Sequence, residues 1–294
     1  LMMVQQKFGR ETKLTVALFM LGISTAGIAF LPSYASLGAA AIVLLAVLRI
    51  GQGLAFGGSW DGLPSLLALN APENKRGWYA MLGQLGAPIG FIIAAGLFAY
   101  LLSALSTADF LDWGWRYPFY VAFAINVVAL FARLRLVATS EYARLLEERE
   151  LQPVKVTEIV GSQGHNILVG ALAALASYAL FHVVTVFPLS WIALHSERSI
   201  SEFLVIQIAG AVLAAGAVVL SGVIADKLGR RNTLGFLAIL IALFSFFVPH
   251  MMGGGDNGQT AFILIGFVLL GLSYGQAAGA VTANFKAKYR YMGA

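Results

Sequence analysis

The chain alternates between long apolar runs and short polar breaks. Mostly apolar stretches fall at 14–31, 38–69, 79–105, 117–137, 167–194, 202–225, 233–250 and 260–285. A helix needs about 20 such residues to cross the hydrocarbon core of a bilayer, so the pattern predicts eight spans. In lipid each backbone polar group must find its partner within the segment, which makes these spans helices. The strand-like alternation of an outer-membrane barrel is absent. The predicted fold class is therefore all-α, a polytopic membrane protein. The first run is longer than the apolar part of a signal peptide, and seven more follow it, so it reads as a true span.

The breaks organise the spans. The loop 133–165 is the one long polar connection; it is rich in charge, carries Pro153 and predicts a short surface helix around Tyr142 to Glu150. It divides the spans four and four. Pro32-Ser33 and the glycine tract from Gly253 to Gly258 read as turns on the opposite side, beside Trp113, Trp115 and Tyr117, which form an interfacial aromatic cluster. Ser199 and Glu202 have the spacing of a capping box at the start of the sixth span.

Composition agrees with the pattern. Of 294 residues 59% are hydrophobic and 11% charged, with mean hydropathy +0.82, whereas soluble domains carry about 25% charged residues. The net charge is +5, and its placement matters more than its size. With eight spans both ends lie on one side of the membrane. That side holds every one of the 19 basic residues except Arg49, Arg116 and Arg198. The positive-inside rule makes it cytoplasmic. The basic balance is thus a topology signal, and no nucleic-acid partner is implied. With no cysteine, and no two of the four histidines at helical spacing, neither disulfides nor a metal site is expected. Nucleotide-binding loops and nucleophile–base signatures are also missing. An enzyme is not expected, nor any cofactor.

The turn between the sixth and seventh runs reads Gly222-Val-Ile-Ala-Asp226-Lys-Leu-Gly229-Arg230-Arg231. Lys7-Phe-Gly9-Arg10 near the start repeats its Lys, Gly and Arg in the same register. A charged, glycine-containing turn recurring at two helical hairpins is similar to the signature loop of the major facilitator superfamily. Arg49-Ile-Gly-Gln52-Gly53 resembles the superfamily's fourth helix. The stretches Gln84 to Gly90, Trp113 to Phe119 and Arg290 to Ala294 resemble its metabolite:proton symporter family, in the sugar-porter-like clan. The resemblance implies helices three to ten of a twelve-helix fold, an internal segment in a 4 + 4 arrangement. On this division 1–137 belongs to an N-terminal bundle, 138–166 is the cytoplasmic central loop and 167–294 belongs to a C-terminal bundle. There are departures. Where the family carries an acid in the fourth helix this chain has Ser59, with Asp61 displaced ~200° around the helix. Leu69 and Ala283 stand where the family has glutamates that meet the loop arginines, so Arg10 and Arg230 need other partners.

Several polar residues sit at membrane depth. Arg49 is near the middle of its span, where an unpaired charge is costly; it is either an anchor for a substrate carboxylate or a structural cation bonded to a neighbouring helix. Gln52, Phe56 and Trp60 share its face. Asp61 is either a proton acceptor or an interfacial acid. His182 is either a proton-coupling group or a neutral histidine between helices. Gln84, Asn126, Tyr178, Tyr274 and Gln276 are cavity candidates, each weighed against a role in interhelical bonding. Gly222, Asp226, Gly229, Arg230 and Arg231, with Gly9 and Arg10, read as a conformational latch. The resulting expectation is a monomeric secondary active transporter of the bacterial inner membrane. It would move a small polar metabolite, an organic acid or compatible solute, with protons, by alternating access across the lipid bilayer. A sugar porter, a drug exporter and a truncated segment that does not transport remain alternatives.

Overall fold

The computed structural model describes residues 10–59, 71–137, 156–286 and 289, and these are helical or lie in turns, with no strand among them. The helices are α1 (Arg10–Ala29), α2 (Ala39–Ser59), α3 (Arg76–Leu82), α4 (Gly86–Ala104), α5 (Tyr117–Val137), α6 (Val156–Thr185), α7 (Phe187–His195), α8 (Ile200–Leu228), α9 (Arg230–Gly253) and α10 (Gly255–Ala283). Seven helical segments among the described residues are long and apolar enough to cross a membrane. The first expected span is the exception by that measure. Its helix starts at Arg10, but Arg10, Glu11 and Lys13 occupy the first turn, so the apolar part is only Thr15–Ala29. The surface helix expected around Tyr142 to Glu150 lies outside the described residues.

The chain forms two compact units, Leu1–Asp61 with Leu105–Pro153, and Gly62–Ala104 with Val154–Ala294. In the first unit α1 packs against both α2 and α5. Glycines set the approach. A Cβ on Gly51 would lie 2.5 Å from Ser24 Oγ, and one on Gly22 would lie 2.7 Å from Asn126 Oδ1. At the end of α1 the Ala26 and Ile28 carbonyls accept from Phe30 N and Leu31 N, which leaves the Ala29 and Leu31 carbonyls without helical partners. Arg116 supplies them, its Nη1 donating to Ala29 O at 2.6 Å and Leu31 O at 3.0 Å. A cation at a helix C-terminus is also electrostatically favourable.

In the second unit α10 is the central rod, touching α3, α6, α8 and α9. It is buried on nearly every side, as expected of a helix that is apolar all round. Lipid tails are as apolar as leucine, so helices associate through close packing and not through exclusion of water. Small residues on α10 make that packing possible. Gly266, Gly271, Gly275 and Gly279 lie against Val184, Ala214, Ser221 and Ala80. Above this seam Phe203, Phe262, Ile263 and Phe267 fill the core, with Phe244 stacked on Phe262 at 5.6 Å.

The fifth expected span is two helices in the structure. Pro188 has no N–H to give to the carbonyl of Val184, so the helix breaks at Val186. Gln207, on α8 and fully buried, takes the vacancy: its Nε2 donates to Val184 O at 2.8 Å and Thr185 O at 3.0 Å. At the other end α6 is kinked at Gln163, whose Oε1 accepts from Asn166 Nδ2 at 2.7 Å. The expected cap at the start of α8 is present, with Ser199 Oγ accepting from Glu202 N at 3.2 Å.

The α8–α10 seam predicts a contrast. Gly271→Ala puts a Cβ onto the backbone of Ala214 and is expected to destabilise by about 1–3 kcal/mol, as overpacking does. Gly216→Ala, on α8 with open space around it, is expected to leave stability unchanged. Thermal unfolding of the detergent-solubilised variants measures the difference.

Candidate functional site

The latch sequence folds into a clamp at one end of the second unit. Gly229 adopts φ +81°, which lets α8 end at Leu228 and α9 begin at Arg230 with one residue between them. That tight turn puts Asp226 in the last turn of α8 and Arg230 in the first turn of α9. Asp226 reaches α3. Its Oδ1 accepts from Gly77 N at 2.6 Å and its Oδ2 from Trp78 N at 3.1 Å. These are first-turn amides, which have no partner inside their own helix. A carboxylate there also meets the positive end of the peptide dipoles. The approach depends on two glycines. A Cβ on Gly77 would lie 2.7 Å from Gly222 O, and one on Gly222 would lie 2.9 Å from Met81 Cγ.

Arg230 completes the clamp. Its Nη1 donates to Gly279 O at 2.8 Å, its Nη2 to Arg76 O at 3.3 Å and its Nε to Gln276 Oε1 at 3.3 Å. Gln276 in turn donates through Nε2 to Gly77 O at 3.1 Å and Ser221 Oγ at 3.2 Å. Asp226, Arg230 and the glutamine thus join α3, α8, α9 and α10. Among the described residues the hydrogen-bond partners of Arg230 are uncharged oxygens. Beside the clamp an open cleft is lined by Asn74, Lys75, Trp78, Val223, Asp226 and Lys227.

The membrane-depth residues divide between the units. In the first, Arg49 is exposed on α2 and its Nη1 donates to Gln52 Oε1 at 3.1 Å. Gln52 Nε2 donates to Thr25 Oγ1 at 2.9 Å, and Thr25 donates to Leu21 O at 2.7 Å. The guanidinium is therefore oriented by a chain of bonds running into α1. Asn126 faces Gly22 across the α1–α5 contact. In the second unit Tyr178 and Tyr274 meet edge to face at 5.6 Å. Tyr274 borders a narrow apolar cleft with Pro88, Phe91 and Phe181. His182 is exposed and lies edge-on to Phe181 at 5.8 Å. Gln84 is buried in a 3-10 turn between α3 and α4.

Gln276, weighed as a cavity candidate against interhelical bonding, is fully buried with both amide atoms engaged in bonds to Arg230 and Gly77. Arg231 is exposed next to the clamp. Gly9, Trp60 and Asp61 lie outside the described residues, as does the side chain of Arg10. Sequence reasoning missed Gly77, Ser221, Gly279 and Thr25. The first had a readable signal, a glycine directly after Lys75-Arg76 at the start of a predicted span. The others act through a carbonyl, a hydroxyl or a lack of bulk, none of which has a periodic signature.

These observations agree with the comparisons. The family model described as Major Facilitator Superfamily matches residues 2–294. A putative metabolite transport protein of Haemophilus influenzae is 33% identical, over 98% of this chain and 67% of that protein. The inner membrane metabolite transport protein YhjE of Escherichia coli is likewise 33% identical, over 98% of this chain and 67% of its own length. The proline/betaine transporter of Escherichia coli is 28% identical over 92% of this chain and 54% of that protein. No solved structure matches. With its membrane-length helices and this match across its length, the chain is a multi-pass membrane protein that belongs to the Major Facilitator Superfamily, a family of transporters and not of enzymes.

Proposed function

We propose that this protein is a secondary active transporter of the bacterial inner membrane, moving a small polar metabolite together with protons by alternating access. The observation that carries the reading is the Asp226 clamp. A carboxylate at the end of one membrane helix holds two backbone amides 148 and 149 residues away in sequence. Bonds of this kind close one mouth of a carrier in one state and part in the other. The basic residues around the clamp support a cytoplasmic position for that mouth. The names of the relatives support an inner-membrane metabolite carrier, and one of them is a proline/betaine transporter. Arg49 adds chemistry. A guanidinium fixed by Gln52 and exposed at membrane depth suits the carboxylate that an organic acid and a betaine share. Asp61 and His182 are the proposed proton-coupling groups.

Uptake by proteoliposomes tests the reading, with radiolabelled glycine betaine and citrate as probes. Accumulation of either that collapses with a protonophore is expected. Failure of both to accumulate sinks the substrate class, and accumulation that ignores the protonophore sinks proton coupling.

Two variants refine it. Hydrogen bonds to a charged group contribute about 1.5–3 kcal/mol, so Asp226→Asn is expected to slow initial uptake by about tenfold or more at normal membrane abundance. Arg49→Gln is expected to raise the KM for the transported carboxylate by a similar factor with little change in maximal rate. Initial rates across a concentration series measure both.

A further inference from the structure

The clamp contains an amide where a charge would be expected. Arg230 carries a permanent positive charge, yet its three bonds end on the carbonyls of Gly279 and Arg76 and on the amide oxygen of Gln276. The nearest carboxylate in the turn, Asp226, is taken by Gly77 N and Trp78 N. Gln276 does two different things at once. Its oxygen accepts from Arg230, and its nitrogen donates to the carbonyl of Gly77, the same residue whose N–H Asp226 holds. A carboxylate serves only the first task, because it has no donor. An apolar side chain serves neither.

We propose that Gln276 is a positioning residue that couples the Arg230 turn to the start of α3, so that the closed mouth is fastened through its N–H as well as through Asp226. Gly77 is then gripped at both ends of its peptide: the N–H by Asp226, the carbonyl by Gln276. Arg230, whose hydrogen-bond partners among the described residues are neutral oxygens, orients the amide so that its nitrogen faces Gly77 and Ser221. The coupler is fully buried between α3, α8 and α10. It therefore opens only when those helices part. This inference rests on the proposed transport cycle, in which the mouth opens and closes, and it is tested without any solute.

These 294 residues contain no cysteine, so one introduced at Ala80 is the sole reactive thiol among them, and any cysteine elsewhere in the intact protein is replaced by serine. Ala80 is buried on α3 against Gly279 and should meet a membrane-impermeant maleimide only when the mouth opens. Ala99, buried on α4, is the control site in a parallel set. Labelling is followed in the intact protein, in inside-out membrane vesicles, with Gln276 retained and with Gln276→Glu and Gln276→Leu. Losing the donor to Gly77 is expected to speed labelling at position 80 by about tenfold in both variants, with position 99 unchanged.

The glutamate variant decides the matter, since it keeps the size of the side chain and its acceptor for Arg230. If Gln276→Glu labels at the parent rate or more slowly, an acceptor for Arg230 is all that the position supplies, and the coupling proposal fails. If positions 80 and 99 speed up together, Gln276 only supports the fold, and the proposal also fails. Should Gln276→Leu not reach the membrane, Gln276→Glu alone gives the answer. The labelling series can succeed while both uptake probes fail, or the reverse, so the two readings fall separately.

Discussion

In the second unit the backbones of α8 and α10 come so close at Gly271 and Gly275 that there is no room for a side chain between them. The other contacts of the unit depend on that approach. A membrane gives helices no gain from leaving water, so what holds them is dispersion between atoms in contact and the bonds that close contact permits. One turn further along the same face, Gly279 leaves space for the guanidinium of Arg230 and the methyl of Ala80. Between the two positions Gln276 faces Ser221 and Gly77. The apolar seam and the polar clamp are thus successive turns of one helix–helix contact.

Several polar side chains at the helix ends and breaks share one pattern. Three of the long-range ones are spent on backbone that the helix geometry leaves unsatisfied. Asp226 takes amides from the first turn of α3, Arg116 takes carbonyls at the end of α1, and Gln207 takes the carbonyls freed by Pro188. In water such groups would find solvent; in hydrocarbon an unmade bond is expensive. This explains why the breaks in the helices coincide with the long-range polar contacts. Wherever a helix starts, ends or is interrupted inside the bilayer, a side chain from another helix must come to it.

That coincidence links architecture to function. A carrier has to separate surfaces that are closed in one state. Contacts made of hydrogen bonds to backbone can be exchanged for water at a mouth, while the apolar seam behind them stays intact. In this chain the bonds of the clamp lie at the ends of α3, α8 and α9, and the aromatic core of Phe203, Phe262 and Phe267 lies deeper. Arg49 stands apart from both, held by Gln52 and Thr25 with the rest of its guanidinium exposed.

Apolar periodicity and length were enough to read the all-helical class, the membrane, the short turns and most helix limits, because burial in lipid is a property of each segment alone. The loop from Gly222 to Arg231 was legible as a distinct charged turn for a related reason: its glycines and charges are local. Partner choice was not. Nothing in the order of residues says that Asp226 meets Gly77, that Gln276 bonds Arg230, or that Gln207 mends the break at Pro188. A single sequence sets which groups lack a partner within their own helix. Which side chain from elsewhere satisfies them is settled only when the helices pack, since that depends on the approach distances that glycines such as Gly77, Gly222 and Gly271 allow.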